Sequence, residues 1–558
     1  MTTPSTKSGK KARKAAAQAQ KAAAPAAPAV ATGPIDLPER VWWIAVAVIL
    51  VIAAVLRLYD LDLVPLHHDE GVNGNFLVRL VREGEYRYDP ANYHGPTLYY
   101  FAAWIPWVIR LLFGTAARDN YGLTTFMIRA VPAFFGIATI ALVFTLRRRL
   151  GTIGTLSAAL LLALSPGAVY LSRYFIHETH FVFFTFGIVV AGLRFYDTRN
   201  PTYLILASAS AALLFATKET AMISMGVLVI AFFSTHIYRR LYRAATSTSS
   251  GKSRRPVAQE SAFRRFIDEL GTTNLVISVV IALVVFLFLN IVFYSSFFTN
   301  SQGVYDAIKT FDIWSKTGQT AHADKVWYQY AIWLASQEGP IFFLSVLGAA
   351  IVVLRPKNAF VLFAALWGFG LVAAYTLIPY KTPWLVLSFI IPLALVAGYV
   401  MQVLYDVERG QLRLVAVLLV IAMCVSVYQT IDLNFINYDN DSSYYVYVYA
   451  HTTRGMLELV DNVERIAAER DGTKTGITIV SPDYWPLPWY LRNYPRVGYY
   501  AQMAPSVEPL IIANVNQKAQ MDQNFGELYQ QVPSKAPDGS FDLRPGVKLL
   551  LYVRRDRL

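Results

Sequence analysis

The sequence predicts an all-α polytopic membrane bundle of about eleven transmembrane helices, followed by a small exterior C-terminal α/β domain. Three observations lead to this prediction. Of the 558 residues, 55% are hydrophobic and 16% are charged, well below the roughly 25% of charged residues in a soluble domain. Apolar runs of about 20 residues, the length that spans a bilayer, recur as far as Thr430. Beyond that point the pattern changes to short strand-like runs.

The charge distribution sets the expected domain order. We expect a disordered basic cytoplasmic tail (1–40), a transmembrane domain (41–431) whose first exterior loop covers 59–123, and an exterior soluble domain (432–558). The tail is rich in Ala, Lys and Pro and lacks an apolar core, which argues against a cleaved signal peptide. The net charge of +13 comes from short clusters between apolar runs, so we expect no nucleic-acid partner. The single cysteine, Cys424, excludes an intramolecular disulfide.

The Lys and Arg clusters orient the predicted spans. The spans are 42–58, 124–146, 152–172, 180–197, 202–217, 221–238, 274–295, 341–355, 359–378, 384–404 and 411–431. With the tail inside, the basic clusters between spans fall on the cytoplasmic side, as the positive-inside bias requires. The agreement holds only if 97–113 lies on the outer surface as a helix, where Tyr99, Tyr100, Trp104 and Trp107 suit the interface. If 97–113 crossed instead, the cluster at 147–149 would lie outside.

The C-terminal 125 or so residues show a mixed pattern. Residues 454–470 have helical periodicity, and strand-like runs follow at Ile477–Val480, Leu510–Ala513 and Lys548–Val553. This order predicts a small α/β domain. These residues do not indicate its function.

The first exterior loop carries the first side chains able to do chemistry. His67-His68-Asp69-Glu70 follows the first span by a few residues, and Tyr93-His94 comes later in the loop. A carboxylate near the membrane surface can act as general base on an incoming hydroxyl that lies within hydrogen-bond reach. We therefore treat Asp69 and Glu70 as candidate catalytic groups, with a solvated loop as the alternative interpretation.

Further ionisable side chains are predicted to face the same compartment. They are Arg173, His177 and Glu178 in the next exterior turn, Lys218 at the outer end of the fifth span, and Lys381 beside Tyr380. A charge at mid-bilayer costs roughly 2.5–3.5 kcal/mol, so such groups are usually paired or functional. Lysines on the outer side oppose the positive-inside bias, and lysine binds phosphate as a point charge. Structural pairing and snorkelling of lysines to the interface are the alternatives.

A divalent metal, Mg or Mn, is a further prediction for this side of the membrane. Asp69 and Glu178 offer the carboxylates that these ions prefer, and His177 adds an imidazole. No spacing in the sequence matches a strong metal motif, so this prediction rests on residue types alone.

Together these motifs resemble the type-C (GT-C) membrane glycosyltransferases, especially their protein O-mannosyltransferase-like branch. The likeness rests on an acid pair after the first span, a His-Gly-Pro surface helix, an Arg-led inward span and the Ser-Arg-x-x-x-x-acid run at 172–178. A narrower likeness, to flippase-associated glycosyltransferases of archaea and Chloroflexota, rests on five motifs. They are Leu56-Arg57-Leu58-Tyr59, His67-His68-Asp69-Glu70, Tyr88-Asp89-Pro90, Tyr93-His94-Gly95-Pro96 and Tyr380-Lys381-Thr382-Pro383-Trp384. The resemblance spans residues 42 to 430.

The resemblance implies a fold, a donor and residue roles. It implies a GT-C-like bundle with exterior juxtamembrane helices, embedded in membrane lipids and using a polyprenyl-phosphate-linked sugar. Asp69 would activate the acceptor in a single inverting displacement. Glu178, the third candidate catalytic residue, stands where relatives usually have Asp and would bind the acceptor or a metal. Arg173, Lys218 and Lys381 would hold the donor phosphate, and the candidate substrate-binding residues are His68, Tyr93, His94, His177 and Tyr380. A flippase or another glycosylation-pathway protein is the implied partner, whereas the sugar and the acceptor do not carry over.

Two other functions stay open at this point. A transporter, or an accessory subunit of a lipid-linked-sugar flippase, would place ionisable residues near mid-membrane. The predicted spans are nearly free of acids, which argues against that function. A non-catalytic scaffold would depend on the C-terminal domain and not on Asp69.

Overall fold

The computed structural model describes residues 37–91, 94–248, 271–317, 325–408 and 412–555. Sixteen helices precede the C-terminal part of this described chain. They are α1 (Glu39–Leu58), α2 (His68–Glu83), α3 (Thr97–Phe113), α4 (Thr125–Phe144), α5 (Thr152–Ala163), α6 (Pro166–Ser172), α7 (Glu178–Thr198), α8 (Pro201–Phe215), α9 (Ala221–Thr248), α10 (Thr272–Tyr294), α11 (Gln302–Thr317), α12 (Gln329–Gln337), α13 (Gly339–Leu354), α14 (Ala359–Leu377), α15 (Leu387–Val407) and α16 (Arg413–Ile431), with single helical turns between some of them. Most of the predicted tail, residues 1–36, lies outside the described residues.

The multi-pass helical bundle predicted from the sequence is confirmed. Within the described ranges, eight helices are long and apolar enough to cross a membrane: α1, α4, α7, α9, α10, α14, α15 and α16. The pairs α5/α6 and α12/α13 add two crossings if each pair, bent by 58° and 114°, forms one span. The predicted span 202–217 coincides with α8, whose 15 residues fall short of the roughly 20 that a straight span needs. The count of eleven therefore stays a prediction.

One buried carboxylate joins the two bent pairs. Glu338, at the break between α12 and α13, accepts hydrogen bonds from the Ser165 hydroxyl at 2.8 Å and the Gly167 amide at 2.7 Å. Both donors lie at the break between α5 and α6, where the start of a helix leaves amide groups without backbone partners. The Tyr447 hydroxyl donates to the same carboxylate at 3.3 Å. The carboxylate thus ties Tyr447 to both bent helix pairs.

Helix α3 forms where a surface helix was predicted, but only part of its expected interface is exposed. Trp104 and Phe113 are exposed to the surroundings of the protein. Tyr99 and Tyr100 are buried, and both rings contact Tyr86. The expectation that these two tyrosines lie at the membrane interface is wrong, because they occupy the inner face of α3.

The C-terminal part contains a six-stranded sheet with flanking helices. Its elements are α17 (Gly455–Ala468), β1 (Ile477–Ile479), β2 (Val497–Tyr499), β3 (Leu510–Asn514), α18 (Lys518–Phe525), β4 (Tyr529–Gln531), β5 (Phe541–Arg544) and β6 (Val547–Arg554). The strand order is β2-β1-β3-β6-β4, and β5 pairs with β6. Strand β1 is parallel to β2 and β3, whereas β3 is antiparallel to β6. The predicted helix and the three strand-like runs are confirmed; the domain boundary at 432 stays a prediction.

The C-terminal part packs directly on α2. A Cβ atom at Gly71 would lie 2.5 Å from the Pro486 Cβ, and one at Gly74 would lie 2.6 Å from the Trp489 ring. Both separations are shorter than van der Waals contact, so α2 approaches this segment closely because it carries glycine at these positions. The contact fixes the helix whose first turn carries Asp69.

Candidate active site

A cavity of about 430 Å³ lies where the start of α2, several helix links and the C-terminal part meet. Seven of the residues singled out from the sequence line it: His68, Asp69, His94, His177, Glu178, Lys218 and Tyr380. Glu70, Arg173 and Lys381 lie outside its walls. Tyr93 falls outside the described residues. Segments that are far apart in the sequence therefore converge on one site.

Asp69 faces this cavity from the first turn of α2. The helix begins with a capping box, in which the His67 Nδ1 accepts a hydrogen bond from the Asp69 amide at 3.1 Å and the Glu70 carboxylate accepts one from the His67 amide at 2.9 Å. This cap fixes the direction of the first turn. The Asp69 side chain is 49% exposed, so a substrate hydroxyl entering the cavity can reach its carboxylate.

Glu70 does not occupy the position expected of a catalytic group. It is fully buried, and the Arg129 guanidinium donates to its two oxygens at 2.7 and 2.6 Å. The Phe175 amide donates to it as well, at 2.7 Å. These three hydrogen bonds direct the Glu70 carboxylate away from the cavity that Asp69 lines. Glu70 therefore holds the start of α2 in place instead of contacting substrate.

Lys218 provides a buried cation in the cavity wall. Its ammonium lies 2.6 Å from a carboxylate oxygen of Glu178, and both side chains are buried. Burial alone would lower the pKa of Lys218, but the adjacent Glu178 and Glu219 carboxylates outweigh it and raise the pKa above its ordinary value. Lys218 is therefore protonated. Its ion pair with Glu178 accounts for the burial of both side chains, which was the structural alternative raised for this group from the sequence.

Two histidines complete this side of the cavity. The His94 Nδ1 lies 3.2 Å from a Glu219 oxygen, and its ring centroid is 5.0 Å from that of His177. The His177 Nε2 lies 3.0 Å from the Gly95 carbonyl oxygen. Because a carbonyl only accepts, this nitrogen carries the proton. Burial holds the pKa of His177 well below its usual range, so the imidazole is neutral.

Two of the three expected phosphate-binding cations point elsewhere. Arg173 donates to the carbonyl oxygen of Asp60 at 2.8 Å and lies over the ring of Phe435. Lys381 donates to the carbonyl oxygens of Ile378 at 2.7 Å and Thr376 at 3.1 Å. Both side chains satisfy backbone carbonyls near helix ends. The expected cluster of Arg173, Lys218 and Lys381 is not formed, and only Lys218 reaches the cavity.

Sequence reasoning missed most of the aromatic wall and one cation. The wall includes Tyr99, Tyr170, Tyr174, Tyr375, Tyr447 and Tyr449, and Arg544 from β5 also lines the cavity. One signal was present in the sequence, since tyrosines recur at Tyr444, Tyr445, Tyr447 and Tyr449 just beyond the last span. Arg544 gave no signal, because its place depends on how the sheet packs.

The predicted metal ligands are not gathered into a set. Within the ranges that the structure describes, no group of three or more His, Cys, Asp or Glu side chains has the spacing to hold an ion. The ammonium of Lys218 already lies against Glu178, and His177 uses Nε2 on Gly95. The residues present do not fit a metal held jointly by Asp69, His177 and Glu178.

The chain is similar to known proteins in part of its sequence and in its overall structure. Residues 100–248 match the family model of dolichyl-phosphate-mannose-protein mannosyltransferases. The whole structure is similar to ArnT from Cupriavidus metallidurans bound to undecaprenyl phosphate, with a TM-score of 0.61 and 14% identity over 92% of this chain and 98% of ArnT. The chain therefore has the GT-C fold, and its residues 100–248 are similar to the mannosyltransferase family.

A second structure supports the same GT-C fold. The oligosaccharyltransferase AglB from Archaeoglobus fulgidus, in complex with an inhibitory peptide and a dolichol-phosphate, has a TM-score of 0.52 and 13% identity over 90% of this chain and 74% of AglB. No curated protein sequence matches the chain. The GT-C fold that the resemblance implied is confirmed, while the narrower likeness to flippase-associated proteins stays a prediction.

Proposed function

We propose that this protein transfers a sugar from a polyprenyl-phosphate-linked donor to a lipid, glycan or protein acceptor, with inversion at the anomeric carbon. The observation that carries the proposal is the cavity that an accessible carboxylate, Asp69, and a buried ammonium, Lys218, line together. The ligands named with the GT-C structures, undecaprenyl phosphate and dolichol-phosphate, support a lipid-phosphate donor.

The proposed reaction assigns one task to each of two residues that line the cavity. Asp69 accepts the proton of the acceptor hydroxyl as its oxygen attacks the anomeric carbon. The bond from that carbon to the phosphate oxygen breaks, and polyprenyl phosphate leaves with the electron pair. Lys218 stabilises the negative charge that develops on this phosphate. His94 and Tyr380, which also line the cavity, contact the substrates, and His177 keeps its neutral ring against the Gly95 carbonyl.

The pairing of Lys218 limits how the phosphate binds. Two carboxylates, Glu178 and Glu219, lie beside one ammonium. A phosphate therefore shares Lys218 with Glu178 and does not replace it, because an uncompensated buried carboxylate is costly. Hydrogen bonds from the phenol groups of the aromatic wall make up the remaining contacts to the phosphate oxygens.

The test compares the wild type with Asp69→Asn in release of polyprenyl phosphate from short polyprenyl-phosphate sugars, with extracted membrane lipids as acceptors. We expect the variant to lose roughly 10²–10⁴-fold in rate, the usual contribution of a general base. Asp62→Asn is the matched control, because Asp62 is an exposed carboxylate of the same loop. Equal release by the wild type and Asp69→Asn would remove Asp69 from the reaction. No release by either protein would favour the flippase-accessory function.

Three finer points belong to the same proposal. The protein lies in the cell membrane with its N-terminus cytoplasmic and its C-terminal part outside. No step of the proposed reaction passes through a metal, and addition of EDTA to the assay tests the predicted Mg or Mn. A flippase or other glycosylation-pathway partner, which would supply or consume the lipid-linked sugar, is tested by co-purification from native membranes.

A further inference from the structure

A row of aromatic rings leads from the cavity to the edge of the C-terminal sheet. His68, on the cavity wall, has its ring centroid 6.2 Å from that of Trp485. Trp485 lies 5.6 Å from Tyr484, which lies 5.1 Å from Tyr499. Tyr499 belongs to the edge strand β2 and is 36% exposed. The rings thus form a continuous path from the neighbour of Asp69 to the protein surface.

An ion pair lies near this row of rings, and one of its members lines the cavity. Arg544 forms an ion pair with Asp483, next to Tyr484 in the sequence, and Arg544 also lines the cavity. The Asp483 side chain is 38% exposed. A carboxylate that accepts hydrogen bonds and a guanidinium that donates them are therefore presented together beside the rings.

We propose that His68, Trp485, Tyr484, Tyr499, Asp483 and Arg544 form an acceptor site for the non-reducing end of a glycan, a site termed here the glycan shelf. This inference rests on the proposed glycosyltransferase function and specifies its acceptor class as carbohydrate. Sugar rings present apolar C–H faces that pack on aromatic rings, and pairs of hydroxyls that can bridge a carboxylate and a guanidinium. The terminal sugar at the His68 end brings its hydroxyl to Asp69.

The chemistry of the shelf favours a glycan over a hydrocarbon chain or a peptide. A hydrocarbon chain would cover Asp483 and Arg544 without offering them hydrogen bonds, which carries a desolvation cost. A peptide added to the edge of β2 would gain its affinity from backbone hydrogen bonds and leave the ring row unused. Only a ligand that is apolar on its faces and hydroxylated at its rim uses both the rings and the charged pair.

The rings also explain how the C-terminal part can take part in the reaction. Its segment 484–490 packs closely against α2 at Gly71 and Gly74. The shelf residues Tyr484 and Trp485 are therefore fixed relative to Asp69, which lies on the same helix. A glycan bound to the shelf is therefore positioned relative to the base without a domain movement.

Saturation-transfer NMR tests the shelf directly, with mannotriose and maltotriose as soluble probes and the full chain in lipid nanodiscs. We expect the wild type to bind at least one probe, Tyr499→Ala to bind it at least tenfold more weakly, and Tyr499→Phe to bind it like the wild type. Tyr305→Ala, which removes an exposed tyrosine of α11, is the control and should bind normally. Equal binding by wild type and Tyr499→Ala, or no binding of either trisaccharide, overturns the glycan shelf.

Asp69→Asn separates this proposal from the proposed function, because binding to the shelf does not require turnover. Retained trisaccharide binding by Asp69→Asn, together with lost release of polyprenyl phosphate, supports both. If Tyr499→Ala releases polyprenyl phosphate as fast as the wild type with every glycan acceptor, the glycosyltransferase function is supported and the glycan shelf is rejected. Binding of unglycosylated peptides in place of the trisaccharides also rejects it.

Discussion

Glu70 and Arg129 form a fully buried ion pair that also anchors the loop before α2. Arg129 donates to Glu70 and to the carbonyl oxygens of Leu61 at 2.7 Å and Val64 at 2.8 Å. Removing one partner of a buried pair leaves an uncompensated charge, which costs about 3–5 kcal/mol. We expect Glu70→Gln to lower the free energy of unfolding by that amount, measured by denaturant unfolding in detergent with tryptophan fluorescence. Glu83→Gln, on the exposed end of α2, should change it little.

His177 makes stability depend on pH. Its folded pKa is held well below the ordinary value of 6.5 by burial, so the folded state keeps the ring neutral while the unfolded chain takes up a proton below that pH. The stabilisation is therefore complete above pH 6.5 and is lost as pH falls below it. We expect the melting temperature of the wild type to be lower at pH 5.5 than at pH 7.5. The melting temperature of His177→Gln, which keeps a donor for the Gly95 carbonyl, should decrease less over the same range. Parallel slopes for the two proteins would contradict this account.

Helix α2 carries Asp69, the proposed base, and its contact with segment 484–490 depends on two glycines. A Cβ at Gly71 would lie 2.8 Å from the Pro486 Cα, an approach that only a backbone shift can relieve. We expect Gly71→Ala to lower the melting temperature and to reduce kcat for release of polyprenyl phosphate, since the shift moves Asp69. Gly226→Ala, in a helical position with nothing within 4 Å, should leave both unchanged or raise the melting temperature slightly. Normal activity of Gly71→Ala would show that the contact does not position Asp69.

The proposed orientation of the whole chain rests on its basic clusters. Arg147, Arg148 and Arg149 end one predicted span, and Arg239 and Arg240 end another, so both sites belong inside under the positive-inside bias. We expect alkaline phosphatase fused after the C-terminus to be active, because that enzyme is active only outside. The same enzyme fused after residue 248 should be inactive, with fluorescent-protein fusions giving the reverse pattern. Activity at residue 248 would invert the proposed topology.

The sequence by itself determined that the chain forms a helical bundle, where its apolar helices lie along the chain, and where strands of the C-terminal sheet occur. These features depend on local periodicity and length, which neighbouring residues encode. Asp69 and Lys218 could also be singled out, because an ionisable group next to a span is costly unless it is used or paired.

Only the tertiary structure decided which ionisable groups reach the cavity. Glu70 is separated from Arg129 by 59 positions and Ser165 from Glu338 by 173, so neither pairing leaves a local pattern. In the sequence Arg173 and Lys381 are equivalent to Lys218, but in the structure both donate hydrogen bonds to backbone carbonyl oxygens. The side on which a side chain lies, and the partner that neutralises it, depend on helix rotation and packing, which a residue's own sequence neighbours do not specify.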